Sequence, residues 1–285
     1  MLFYTSEKTF YRSTKQMLIS SKKLTTLIII LVLTLASGCS LLLKPSPKVH
    51  ITLGNPSNAT TSIENTDNYL LEKTQYVLSY NRDKGTANWV SWQLNKSWLG
   101  NVERQDDFRP DDSLPEDWYQ VRPSDYRNTG YDRGHLIPSA DRTANEEDNS
   151  ATFLMTNIIP QSPDNNRETW RGLEQYSREL VQQGNELYII AGGYRKKATI
   201  AKGKVTIPSR TWKIIVVVKP GSGLRGVDKN TRVITVDMPN SNRIRNDWKA
   251  YRVSVDKIET ETGYDFLSKV PKEIQDVIES RVDRQ

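Results

Sequence analysis

The chain has 285 residues, a formal charge of +6, two histidines and a single cysteine. One cysteine excludes an intramolecular disulfide and a cysteine-rich zinc site, so a folded domain must be held by packing. The charge is concentrated at the front, where Lys8, Arg12, Lys15, Lys22 and Lys23 stand against Glu7 alone. That excludes net charge as an argument for a polyanionic ligand, and local arginine clustering has to carry it instead.

Residues 1–38 read as a secretory signal peptide. Lys22 and Lys23 precede an apolar run from Leu27 to Leu35, and small residues follow it. The run is about half of the roughly 20 residues that span a bilayer as a helix. Translation starts at Met1 or at Met17, the second giving the usual short basic region. Leu35-Ala36-Ser37-Gly38-Cys39 is similar to the lipobox of bacterial lipoproteins, in which the cysteine is lipidated. The other reading of Cys39 is the small residue after an ordinary cleavage site. Either way the expectation is a secreted or periplasmic protein, lipid-anchored at the cell surface if Cys39 is acylated.

Residues 39–68 are rich in Pro, Ser, Thr and Asn without sustained periodicity, and read as a flexible linker. The folded domain is expected over residues 69–285. Runs rich in Ile, Val, Trp and Tyr predict strands at 89–94, 187–191, 212–218 and 232–236. Ile189-Ile190 and Ile214 to Val218 are nearly unbroken apolar segments, as central strands covered on both faces would be. A helix is predicted over residues 166–183, stopped by Gly184, with Trp170, Leu173, Leu180 and Val181 on its buried side. Strands and helices without regular alternation predict an α+β domain.

The chemistry starts at Asp132-Arg133-Gly134-His135, because His135 is the one histidine of the predicted domain. It is the natural general base near neutral pH. Arg133 offers a donor fork for a phosphate oxygen, and Gly134 lets the backbone approach a substrate. Asn166 and Glu174, eight residues apart, would be separated by about 12 Å of rise on a regular helix. One direct ligand and one acting through water therefore suits a hard cation such as Mg²⁺. No phosphate loop and no Gly-x-Ser-x-Gly elbow is present. Taken one at a time, these residues have plainer readings: Asp132 and Asp141 as turn residues, Glu174 and Arg178 as a surface ion pair.

Together they resemble a known family, the DNA/RNA non-specific endonucleases of the ββα-metal class. The signature is Asp132 to Arg142, read DRGHLIPSADR; the second block is Thr156-Asn157-Ile158-Ile159-Pro160-Gln161 with Asn166, Trp170, Leu173 and Glu174. The resemblance implies a ββα-metal nuclease fold with a central antiparallel sheet flanked by helices. It implies His135 as the base activating water and Asn166 as the direct protein ligand of a hydrated Mg²⁺ or Mn²⁺. Glu174 would reach the ion through water, Arg133, Arg178 and Arg104 would contact phosphate, and Asn157 would stand near the site. It further implies DNA and RNA as substrates, 5′-phosphate ends, and a protein inhibitor as partner. The rival from another class is a non-catalytic nucleic-acid-binding lipoprotein on the same fold.

Overall fold

The computed structural model describes residues 46–285. The signal peptide, the alternative start at Met17 and Cys39 lie outside the described residues. Seven strands form one antiparallel sheet in the order β1 (Tyr69–Glu72), β2 (Val77–Asn81), β3 (Thr86–Leu94), β6 (Glu186–Ile200), β7 (Val205–Val218), β8 (Arg232–Pro239) and β9 (Arg252–Val253). A separate antiparallel pair joins β4 (Asp132–His135) to β5 (Ile158–Gln161). The four predicted strand runs all fall inside β3, β6, β7 and β8.

The period-two alternation of a strand divides the core into two layers. Leu187, Ile189, Ala191 and Ile215 face one side, with Trp92, Trp170, Leu173, Leu180 and Val181. Tyr188, Ile190, Trp212, Ile214 and Val216 face the other, with Trp89, Val255, Ile258 and Phe266. Both faces are covered, which is why the central strands carry apolar side chains in unbroken runs. Between β4 and β5 runs α1 (Glu146–Ala151).

The predicted helix over 166–183 is helical as far as Gln182 but not uniform. It opens with a π-turn, Asn165–Trp170, and continues as α2 (Arg171–Gln182). The regular-helix rise between Asn166 and Glu174 therefore does not apply to its first turn, since i→i+5 bonding widens the coil. Asn165 explains the distortion: its Nδ2 donates to the Pro239 carbonyl at 2.9 Å and to Thr211 Oγ1 at 3.2 Å, so the helix start is tied down to the sheet. Gly184 ends the helix at φ +93°, a value that favours glycine. On the second face of the sheet lie α3 (Val255–Thr262) and α4 (Lys272–Ile278).

Residues 39–68 are not a linker over their described part. Leu53 and Ala59 are buried, and Thr60 bridges to Tyr69. His50 is buried too, its Nε2–H donating to the Thr74 carbonyl at 2.8 Å while the Gln93 N–H donates to its Nδ1 at 3.1 Å. The polar composition hid a segment that anchors itself through a few residues, Leu53 and Ala59 in the core and Ile51 packed against it, while Ile63 stays exposed. Its polar side chains bond the backbone, as Asn55 does with Ala59.

Candidate active site

β4, β5 and the helix that follows form a ββα unit, and the motif residues come together on it. The pairing sets Asp132 opposite Gln161 and His135 opposite Ile158. Gly134 lies opposite Ile159, and a Cβ there would run into the Gln161 side chain. Packing against Gln161 by itself requires glycine at this position. Asn157 closes the unit from behind. Its Oδ1 accepts from the Ile137 N–H at 3.0 Å, and its Nδ2 donates to the carbonyls of Ile137 and Thr152 at 2.9 and 2.8 Å. Arg142, last in the motif, is buried over Trp98 and donates to the carbonyls of Gln75, Gln93 and Asp141.

His135 is buried between Phe108 and Phe153, with ring centroids 5.3 and 5.0 Å away. Its Nε2 is buried without a hydrogen-bond partner. Burial, with the charges of Arg104 and Arg133, lowers its pKa from 6.5 to about 3, so the imidazole is held neutral. The same two phenylalanines carry the arginines: the Arg133 guanidinium lies 4.1 Å from the Phe108 ring centre, and that of Arg104 lies 4.7 Å from Phe153.

Beside this cluster opens a cleft of about 570 Å³. Its walls include Arg104, Arg133, Asp132, Asn166, Arg127 and Arg167. Asp132 anchors two of them. It accepts from Asn166 Nδ2 at 2.9 Å and from Arg167 through two bonds of 2.8 and 2.6 Å. Burial alone would raise the Asp132 carboxyl, but the hydrogen bonds from Arg167 and Asn166 and the charges of Arg167 and Arg133 outweigh it and hold it below the usual range. With Nδ2 held by Asp132, the Asn166 amide turns its oxygen the other way, a neutral hard donor of the type a Mg²⁺-class ion takes.

Glu174 and Arg178 do not form the surface pair that their spacing allows. Glu174 faces Lys213 across 3.5 Å, and Arg178 donates to Asp141 at 3.0 Å. Lys213 is buried against the faces of Trp170 and Trp92. Burial raises the Glu174 pKa against the pull of Lys213, and burial lowers that of Lys213. Arg104 links this network to the cleft, since its Nη1 donates to Ser139 Oγ at 2.9 Å in the 3₁₀ turn Ser139–Asp141 that also presents Asp141. Sequence reasoning gives no role to Lys213, Arg167 or the two phenylalanines, and reads Asp141 only as a turn residue. Of these Lys213 has a signal, a lone charge inside an apolar strand.

A model of the family described as DNA/RNA non-specific endonuclease matches residues 53–273. The chain belongs to that family. It is an endonuclease, and its fold is the mixed α/β arrangement of the ββα-metal nucleases. It is 62% identical over 242 residues to a protein named Nuclease from Nostoc sp., covering 85% of this chain and 88% of that one. Nuclease EXOG, mitochondrial, from Danio rerio is 31% identical over 70% of this chain and 61% of its own length. Endonuclease G, mitochondrial, from Homo sapiens is 32% identical over 53% and 56%. A solved structure of an EndoG/EndoGI complex superposes with a TM-score of 0.68 at 24% identity, covering 80% of this chain and 94% of that one.

Proposed function

We propose that this endonuclease hydrolyses the phosphodiester bonds of both DNA and RNA without sequence preference, leaving 5′-phosphate ends. The observation that carries the reading is His135, a buried neutral imidazole with an unpartnered Nε2, next to an arginine-lined cleft. In its neutral form the ring can take a proton from an attacking water. Arg133 and Arg104 hold the non-bridging phosphate oxygens, and Arg178 assists with the part of its guanidinium that Asp141 leaves free. Phosphate contacts carry no base information, which accounts for cleavage of any sequence.

Asn166 is the residue we assign to hold a Mg²⁺ or Mn²⁺ ion directly, with Glu174 acting through water. One amide oxygen and one carboxylate fit a cation that keeps most of its own hydration. When bound, such an ion neutralises the charge that develops on the phosphate and the leaving oxygen. Asp132 fixes the Asn166 amide, and Lys213 and Asp141 fix Glu174 and Arg178.

The basic residues, apolar run and lipobox-like Leu35 to Cys39 support export, with lipid attachment at Cys39 as the alternative to simple secretion. Mass spectrometry of the mature N-terminus distinguishes them. Among the described residues no helix is long and apolar enough to cross a membrane. A protein inhibitor is a further proposed partner, supported by the inhibitor complex of the structural neighbour.

The test incubates the purified protein with plasmid DNA and total RNA, in Mg²⁺ or in chelator, beside His135→Ala. Metal-dependent loss of both substrates, absent in the variant, is the expected result. Intact RNA would restrict the substrate to DNA, and two intact substrates under every metal would leave a binding protein on a nuclease fold.

A further inference from the structure

A second group of acidic side chains lies on the sheet face opposite the His135 layer. Asp256 and Glu259 stand on α3, and Glu279 directly follows α4. Three carboxylate oxygens, one from each residue, lie within 4.8 Å of one another. The Asp256 N–H donates to the Glu279 carbonyl at 3.2 Å, so the backbone holds the start of one helix against the end of the other. Glu259 Oε1 accepts from the Phe266 N–H at 2.8 Å. Glu279 is only 4% exposed, and its Oε1 is buried with no hydrogen-bond partner.

A buried carboxylate oxygen without a donor, in a group with two more carboxylates, is unfavourable unless something positive joins it. Asp265 adds negative charge to the group, and the nearby cation, Lys272, is engaged by Asp276. Burial, with Glu259 and Asp256, pushes the Glu279 carboxyl up, as expected where carboxylates are held together with little counter-charge.

We propose that Asp256, Glu259 and Glu279 form a binding site for a hard divalent cation of the calcium class, which ties α3 to the C-terminal end of the chain. Even at the full 4.8 Å separation the three oxygens lie only about 2.8 Å from a common centre, so a small inward rotation of the side chains brings them to the Ca²⁺–oxygen distance of about 2.3–2.6 Å. Ca²⁺ accepts several carboxylates in loose geometry. Mg²⁺ demands near-ideal octahedral ligation and takes one or two, so calcium is the better occupant. The helices that carry the three residues bury Val255, Ile258 and Ile278 against the sheet, and a bound ion would hold that cover in place. The site stands apart from Asn166 and does not rest on the proposed catalytic roles.

Equilibrium dialysis with radioactive calcium and thermal melts, on the full chain stripped by chelator, test the proposal with wild type, Glu279→Gln and Asp256→Asn. Wild type should bind one calcium per chain more than either variant. Its melting midpoint should rise more with calcium than with equal magnesium, and that rise should shrink in both variants. DNA cleavage in magnesium should stay at the wild-type rate in both. Equal calcium stoichiometry and equal thermal response in all three proteins would overturn the site and assign the cluster a shared proton. Asp256 is exposed, so its variant supplies the same readout should Glu279→Gln fail to fold.

Discussion

Glu174 Oε1 and Lys213 Nζ stand 3.5 Å apart, both side chains almost wholly shielded from solvent, the acid on α2 and the base on β7 beneath it. Trp170 and Trp92 close around the lysine and shut its ammonium off from solvent beside the carboxylate. Asp141 and Arg178 complete a network of alternating sign. The residue proposed to reach the metal through water is therefore positioned by the sheet as well as by its own helix.

Lys213→Met should cost about 3–5 kcal/mol of stability, because it strips a buried carboxylate of its counter-charge. Adding Glu174→Gln should restore much of that loss while leaving the protein inactive. Urea unfolding of the two singles and the double measures the coupling. Additive losses would show that the pair does not interact.

Gly134→Ala places a Cβ against the Gln161 side chain, in the turn-free middle of the β4–β5 pair. Overpacking of this kind costs about 1–3 kcal/mol, and the strain falls one residue from His135. A Gln161→Ala partner change should relieve it. The melting midpoint should drop in Gly134→Ala and recover in the double variant, and no recovery would mean that the steric reading is wrong.

Asp132→Asn removes the charge that orients Asn166 and pairs with Arg167. Loss of a partner that orients a metal ligand typically weakens metal affinity about 10–100-fold. The metal concentration for half-maximal cleavage should rise by that order, with much of the rate regained at saturation. An unchanged metal requirement would remove Asp132 from that role.

The sheet is legible because a run such as Ile214 to Val218, β-branched throughout and too short for a buried helix, suits a strand covered on both faces. The helix is legible because Trp170, Leu173, Leu180 and Val181 share a face. The π-turn is not, since it results from Asn165 bonding residues far along the chain. His135, Asn166 and Glu174 stand out by residue type and spacing. Phe108 and Phe153, which hold the arginines and bury the imidazole, look like ordinary core residues until the fold brings them together. His50 escapes notice because it lies in a stretch rich in Pro, Ser, Thr and Asn, and its hydrogen-bond partners, Thr74 and Gln93, lie far along the chain.

Burial of His50 makes stability depend on pH. Desolvation, then the charge of Arg142, lowers the His50 pKa to about 3 against a weaker raising effect of the Thr74 carbonyl. The unfolded chain takes the proton first, so the stability His50 contributes is present above about pH 6.5 and is lost as pH falls towards 3, by about 1.4 kcal/mol per pH unit. Imidazole NMR shifts should show His50 as the neutral Nε2–H tautomer down to pH 5. A titration midpoint near 6.5 would contradict the closed environment.

The same physics sets the acid limit of catalysis. Burial first, then Arg104 and Arg133, holds His135 neutral far below an ordinary histidine. If this ring is the base, activity needs its unprotonated form, and kcat/KM reports that ionisation in the free enzyme. The acid limb of kcat/KM at saturating metal should therefore lie well below pH 6.5. Removing one positive charge makes protonation easier, so Arg104→Gln should move the limb upward as well as lower the rate. Because burial is the largest cause, the move should be only part of the way to 6.5. Profiles for wild type and Arg104→Gln decide it: a wild-type limb at 6.5, unmoved in the variant, would mean that His135 is not the group whose protonation stops the reaction.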